Sequence, residues 1–167
     1  MKNQWNIIMI LALLILVLLI FRKPIKKIMT RGYRNNNPGN IRNTYDSHGN
    51  IVLLYEGETL SKDSEFKSFR SIEYGYRAIF ALLSHYIHSK GLNTIRKIIN
   101  TYAPTTENDT SSYVTRVSLM TSTDPDQLID FNDSDLMKKF VGAISYVENG
   151  INANTTEISN GLNLFYA

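Results

Sequence analysis

Apolar residues fall along this chain in three successive patterns. The first is an unbroken run, Ile7 to Phe21 ("IIMILALLILVLLIF"), with Trp5 before it and Arg22 and Lys23 directly after. The second, residues 31 to 68, holds most of the turn formers and has no sustained period beyond one β-like run, "NIVLLYEG" (Asn50 to Gly57), and a short "EFKSF" (Glu65 to Phe69). These two runs predict a small hairpin. From Ser71 the spacing becomes helical. A helix is predicted with Ser71 as its cap, Glu73 in its first turn, and Ile72, Tyr76, Ile79, Phe80, Leu83 and Tyr86 or Ile87 on one face, ending near Gly91. A second runs from about Asn93 to Tyr102 and stops before Pro104. A third follows Asp109 or Thr110, with Tyr113, Val117 and Met120 on one stripe. The last long helix opens at Asn132 or Asp133 and carries Leu136, Phe140, Ala143, Ile144 and Val147, with Asn149 or Gly150 as a left-handed terminator.

The first run reads as a membrane helix, because it is apolar on every face and bounded by interfacial residues. Its fifteen residues cover about 22 Å of a hydrocarbon core roughly 30 Å thick, so Trp5 and the stems of Arg22 and Lys23 are placed near the interfaces. No small-residue cleavage site follows it; the chain continues "RKPIKK", so the helix is read as a retained anchor. The predicted organisation is an anchor and basic stem over 1–30 and one domain over 31–167, within a chain of 167 residues that is 43% hydrophobic.

Charge sharpens that division. Seven of the 18 Lys and Arg residues (Lys2, Arg22, Lys23, Lys26, Lys27, Arg31 and Arg34) precede residue 35, where there is no acid. The remainder has 11 basic and 15 acidic side chains, a net −4. The basic character therefore belongs to the stem, where it suits anionic lipid head groups. A nucleic-acid partner loses its main support. The positive-inside rule puts the domain on the cytoplasmic side of a cell membrane, or on the inner side of a viral one.

Several chemistries have no residues to carry them. The chain has no cysteine, so disulfides, thiolate nucleophiles and zinc–thiolate sites are absent, and no phosphate loop, dinucleotide fingerprint or zincin motif occurs. His85 and His88 are spaced i,i+3 without a third ligand at a recognisable spacing, and read as solvated helix-face residues; no metal or cofactor is predicted. Glu148 is more informative. It ends an apolar helix in "FVGAISYVENG", where the negative end of the helix dipole and the neighbours Tyr146 and Val147 oppose ionisation. Two readings stand side by side: a general acid for glycosidic cleavage, or a solvated glutamate in a last turn. The asparagines of "RGYRNNNPGNIR" are similarly divided between ligand amides and turns that bond their own backbone.

Four blocks, "RGYRNNNPGNIR", "FKSFRSIEYGYRA", "TIRKIINTYAP…ENDTSSYV" and "AISYVENG", resemble a phage and prophage family of lysozyme-like virion proteins. Tyr55 and Tyr102 stand where that family's pattern leads one to expect Trp. The blocks are also similar to pieces of the goose-type lysozyme and soluble lytic transglycosylase pattern, with the Glu-bearing piece last instead of first and Asn149 in place of the usual Ser, which implies a circularly permuted arrangement. The resemblance implies a mainly α (α+β) fold: a lysozyme-like helical domain with a small loop/β lobe, preceded by one N-terminal transmembrane helix. It implies a membrane-anchored lytic transglycosylase or muramidase acting on the MurNAc–GlcNAc bond, with Glu148 as catalytic acid and Asn36, Asn37, Asn40, Tyr102 and Tyr113 in the sugar-binding groove. A transglycosylase needs only that acid, whereas a hydrolase wants a second carboxylate, for which Glu56, Glu58, Glu107 and Asp109 are candidates; capping of the following helix is the plainer role for Glu107 and Asp109. The implied partners are peptidoglycan glycan strands, a lipid bilayer through Ile7 to Phe21 and the basic stem, and virion membrane or capsid proteins. The alternative is a noncatalytic virion protein that keeps the scaffold without the activity.

Overall fold

The computed structural model describes residues 30–106 and 109–167. The predicted membrane helix, Ile7 to Phe21, its basic stem and Glu107 lie outside the described residues. Among the described residues no helix is long and apolar enough to cross a membrane.

The chain enters the domain through a single helical turn, α1 (Arg31–Arg34), whose N-cap Thr30 accepts a bond from the Tyr33 amide. The sequence reads this stretch as loop, since four residues are too few to show a period. Two short hairpins follow: β1 (Thr44–Tyr45) pairs antiparallel with β2 (Ile51–Val52), and β3 (Glu58–Thr59) with β4 (Ser68–Phe69). The predicted pairing of the Asn50–Gly57 run with Glu65–Phe69 is thereby corrected. Only Ile51 and Val52 of that run are strand, because the chain turns at Tyr55 to Glu58, where Gly57 takes φ 74° and the Glu58 amide donates to Tyr55 O at 3.1 Å.

Five longer helices build the rest. α2 (Ile72–Ser84) begins after Ser71 as predicted and runs directly into a wider π turn, His85–Ser89. α3 (Ile95–Tyr102) is capped by Thr94, α4 (Thr110–Thr121) by Asp109, and α5 (Ser134–Asn149) by Asp133, ending at Gly150 with φ 67°. α6 (Thr155–Tyr166) is absent from the sequence reading, because its Thr- and Asn-rich first turns hide the pattern of Ile158 and Leu162; Asn154 caps it through bonds from the Thr156 and Glu157 amides.

α2 is the central element. Its Tyr76, Ile79, Phe80 and Leu83 are fully buried against Ile95, Ile98 and Ile99 of α3, Val117 of α4, Met137, Phe140 and Ile144 of α5, and Ile158 and Leu162 of α6. The predicted stripes are this core, with one correction: Met120 is exposed, and Val114 takes the inward position beside Tyr113 and Val117. His85 and His88 are exposed as expected, and no metal-holding cluster occurs among the described residues.

The β lobe and the loop after α1 close against this bundle. A Cβ on Gly75 of α2 would lie 2.0 Å from Asn36 O, so only glycine lets the Asn-rich loop rest on the helix. Beneath it, the hydroxyls of Tyr33 (α1), Tyr76 (α2) and Ser145 (α5) form a closed buried triangle with sides of 3.2 to 3.4 Å. A cyclic arrangement in which each hydroxyl donates once and accepts once satisfies all three, so three segments are tied together. The described chain is thus mainly helical with a small strand lobe, an α+β arrangement.

Candidate functional site

The loop after α1 and the last turn of α5 meet across 108 residues of sequence. Asn40 Nδ2 donates to Glu148 Oε2 at 2.9 Å. Asn149 Nδ2 donates to Pro38 O at 2.7 Å and to Ser145 O at 2.9 Å, so the two residues that end α5 both grip the loop. The loop's shape depends on asparagine in a second way. Asn36 and Asn40 adopt φ 50° and 45°, a left-handed conformation that asparagine tolerates better than other side-chain-bearing residues.

Glu148 faces a cleft of about 410 Å³ between the β lobe and the helices. Its other carboxylate oxygen, Oε1, accepts from the Tyr113 hydroxyl at 3.0 Å. Tyr113 comes from the first turn of α4, which Asp109 fixes by accepting from the Ser112 amide at 3.1 Å. Tyr102, at the end of α3, donates its hydroxyl to Gly39 O and sets its ring edge-on to Tyr113, with centroids 6.3 Å apart. Tyr55, Tyr86 and Tyr102 form the aromatic side of the cleft, and Asn40, Arg42, Asn43 and Thr44 the polar side.

Burial raises the Glu148 carboxyl above the ordinary glutamate range, and it outweighs the opposing effects of the Asn40 and Tyr113 hydrogen bonds and the Arg42 charge. The phenols around it are raised as well, again mainly by burial: Tyr55 to about 12, Tyr102 and Tyr113 well above their usual value. They therefore remain neutral donors at any pH where Glu148 titrates. Asn40 Oδ1 is buried without a partner among the described residues.

The other predicted residues are placed as follows. Asn37 is fully buried and does not line the cleft; its amide donates to Ile41 O and Lys67 O and accepts from the Ile41 amide, stapling the loop to β4's approach. Asn36 donates to Phe69 O. Glu58 is buried in an ion pair with Lys67, at 2.6 Å, and also accepts from the Leu54 and Tyr55 amides, so its oxygens are committed. Glu56 is exposed and pairs with Arg77 at 2.7 Å. Asp109 is a helix cap whose bonds from Ser111 and Ser112 hold its carboxyl below the usual range. Among the described residues, Glu148 is the one carboxylate lining the cleft.

Arg42, Asn43, Phe66 and Lys67 line the cleft as well, although the sequence does not single them out as site residues. Arg42 and Asn43 directly follow the loop and close its motif, a signal that was present. Tyr86 and Ile87, the two residues the sequence offers for the helix's core face, both pack partly buried against the core, and Tyr86, in the π turn, lines the cleft as well.

No family model matches the chain. It is 36% identical over 133 residues to "Protein P5" of Pseudoalteromonas phage PM2, an alignment that covers 78% of this chain and 79% of that protein.

Proposed function

The chain belongs to the family of Protein P5 of phage PM2, and from that membership and the geometry of its cleft we propose that it is a virion-associated, membrane-anchored enzyme that cleaves peptidoglycan glycan strands by lytic transglycosylation. One observation carries the reading: a half-buried carboxyl with a raised pKa is held between an amide and a phenol at the edge of an aromatic-lined cleft. The raised pKa favours the protonated form that a general acid needs. The aromatic side suits the apolar faces of sugar rings, and the amide side suits their hydroxyl and N-acetyl groups.

In this mechanism Glu148 gives its proton to the glycosidic oxygen as the C1–O bond breaks. The resulting carboxylate then takes the proton of the muramic acid 6-hydroxyl, whose oxygen closes on C1 to leave a 1,6-anhydro end. The acid is regenerated and no water is consumed. Support for this route over hydrolysis comes from the carboxylates: Glu58 is bound to Lys67, Glu56 to Arg77, and Asp109 to its own helix. The convergence of Asn40, Tyr102, Tyr113 and Glu148 supports the lysozyme-like, permuted arrangement that the sequence blocks imply. Anchoring by Ile7 to Phe21 inside a particle would deliver the domain to the wall at entry.

The decisive experiment is Glu148→Gln, which keeps the shape and removes the transferable proton. Release of soluble muropeptides from purified peptidoglycan should be abolished, with folding intact. Mass analysis of products from the unmodified chain should show 1,6-anhydromuramic ends; reducing ends would instead assign a hydrolase. No release by the unmodified chain from several peptidoglycan chemotypes would favour the noncatalytic virion role.

A further inference from the structure

We infer that a second hollow, lined by the Tyr113 whose hydroxyl bonds Glu148, binds a carboxylate-bearing sugar of the same glycan strand, with Arg116 taking the carboxylate and Tyr146 covering the ring. This inference rests on the glycan-cleaving reading and adds to it a determinant of substrate choice.

The hollow has a volume of about 400 Å³, and Tyr113, Arg116 and Tyr146 are among its lining residues. Tyr113 connects it to the acid. Its hydroxyl reaches Glu148 and its ring packs on Tyr102, which lines the main cleft, while Tyr113 itself forms part of the second hollow's wall. Val147, next to Glu148 in the chain, and Gly150, two residues beyond it, line the second hollow too. A polymer cut at Glu148 needs room for sugars on both sides of the broken bond, and this hollow shares with the acid the Tyr113 side chain that bonds it and Val147, its neighbour in the chain.

Its chemistry is selective. Arg116 is exposed, three residues beyond Tyr113 on α4, with its guanidinium carbon 5.8 Å from the centre of the Tyr146 ring. It has no ion-pair partner among the described residues, although Asp109 lines the same hollow. Asp109 is occupied: its oxygens accept from the Ser112 amide, the Ser111 hydroxyl and the Ser112 hydroxyl. A planar cation beside a half-buried aromatic ring suits a ligand that carries both a carboxylate and a sugar face. In a strand that alternates N-acetylglucosamine with N-acetylmuramic acid, only the muramic residue offers this, through its lactyl carboxylate or the acidic peptide built on it. A chitin strand offers neither.

The test uses the full chain in detergent with Glu148→Gln, so that binding is read without turnover. Three tetrasaccharides are titrated by calorimetry: one from peptidoglycan with its peptides, one stripped of them by an amidase, and chitotetraose. Arg116→Gln, added to this background, should weaken a muramic tetrasaccharide about tenfold or more, the loss of a charge-assisted hydrogen bond, and leave chitotetraose unchanged. Arg116→Lys should recover part of the loss. Weakening of the stripped tetrasaccharide identifies the lactyl carboxylate as the group bound; weakening confined to the peptide-bearing one identifies the peptide. Equal affinities with and without Arg116, or equal weakening of chitotetraose, overturn the inference while leaving the cleavage reading in place. Failure of the Glu148→Gln parent to bind any of the three removes both.

Discussion

Asn40 and Glu148 are joined by a 2.9 Å hydrogen bond that links the first loop of the domain to the end of its fifth helix. Because the bond favours the charged carboxylate, as does the one from Tyr113, removing either donor should raise the Glu148 pKa further. In Asn40→Ala and in Tyr113→Phe, the carboxyl carbon of Glu148 should titrate at higher pH by NMR than in the unmodified chain. The alkaline limb of the proposed cleavage should move in the same direction. A downward shift in either variant would mean that burial does not dominate at this site.

Glu148 also links stability to pH. Its folded pKa is raised, so its contribution is fully present below the unfolded value, about pH 4, and is lost as pH rises through the folded value. Glu148→Gln should therefore match the parent in urea at pH 3 and unfold at higher urea at pH 8. A variant that is less stable than the parent at pH 8 would contradict the direction of the shift.

The pair of Lys67 and Glu58 is nearly solvent-free, with side chains 1% and 0% exposed. Lys67→Met leaves Glu58 charged and bonded only to amides, and should cost about 3–5 kcal/mol in urea denaturation. Glu58→Gln added to Lys67→Met removes the stranded charge while keeping an oxygen for the Leu54 and Tyr55 amides, and should restore part of that loss. Simple addition of the two single effects would show that the ions do not interact.

Gly32 sits where a Cβ would lie 2.5 Å from Asn149 Oδ1 and 2.8 Å from Asn37 O. Gly32→Ala must push the loop away from the end of α5. It should cost about 1–3 kcal/mol, the usual range for overpacking, and broaden or shift the Asn40 and Asn149 amide signals. The proposed cleavage should fall more than stability alone explains, since the displaced loop carries Asn40. Unchanged amide signals would show that the loop has slack.

Period and punctuation made the helices from Ser71 to Gly150 legible, because each carries an apolar stripe and a local start or stop signal: Thr94, Asp109 and Asp133 cap through their own side chains, and Gly150 terminates by its own φ. Glu148 was legible for the same reason, as a carboxylate ending an apolar helix. What the asparagines do was decided only in three dimensions. Nothing local distinguishes Asn37, turned inward to bond Ile41 and Lys67, from Asn40, turned toward Glu148, since the difference lies in partners about 30 and 108 residues away. The same holds for Glu58, whose role is fixed by Lys67, the residue just before β4, and for the strand pairing, which follows a turn at Gly57 rather than the apolar run. Local sequence sets backbone periodicity and caps, whereas the burial that raises the Glu148 pKa and the contacts that aim its carboxyl exist only once distant segments pack together.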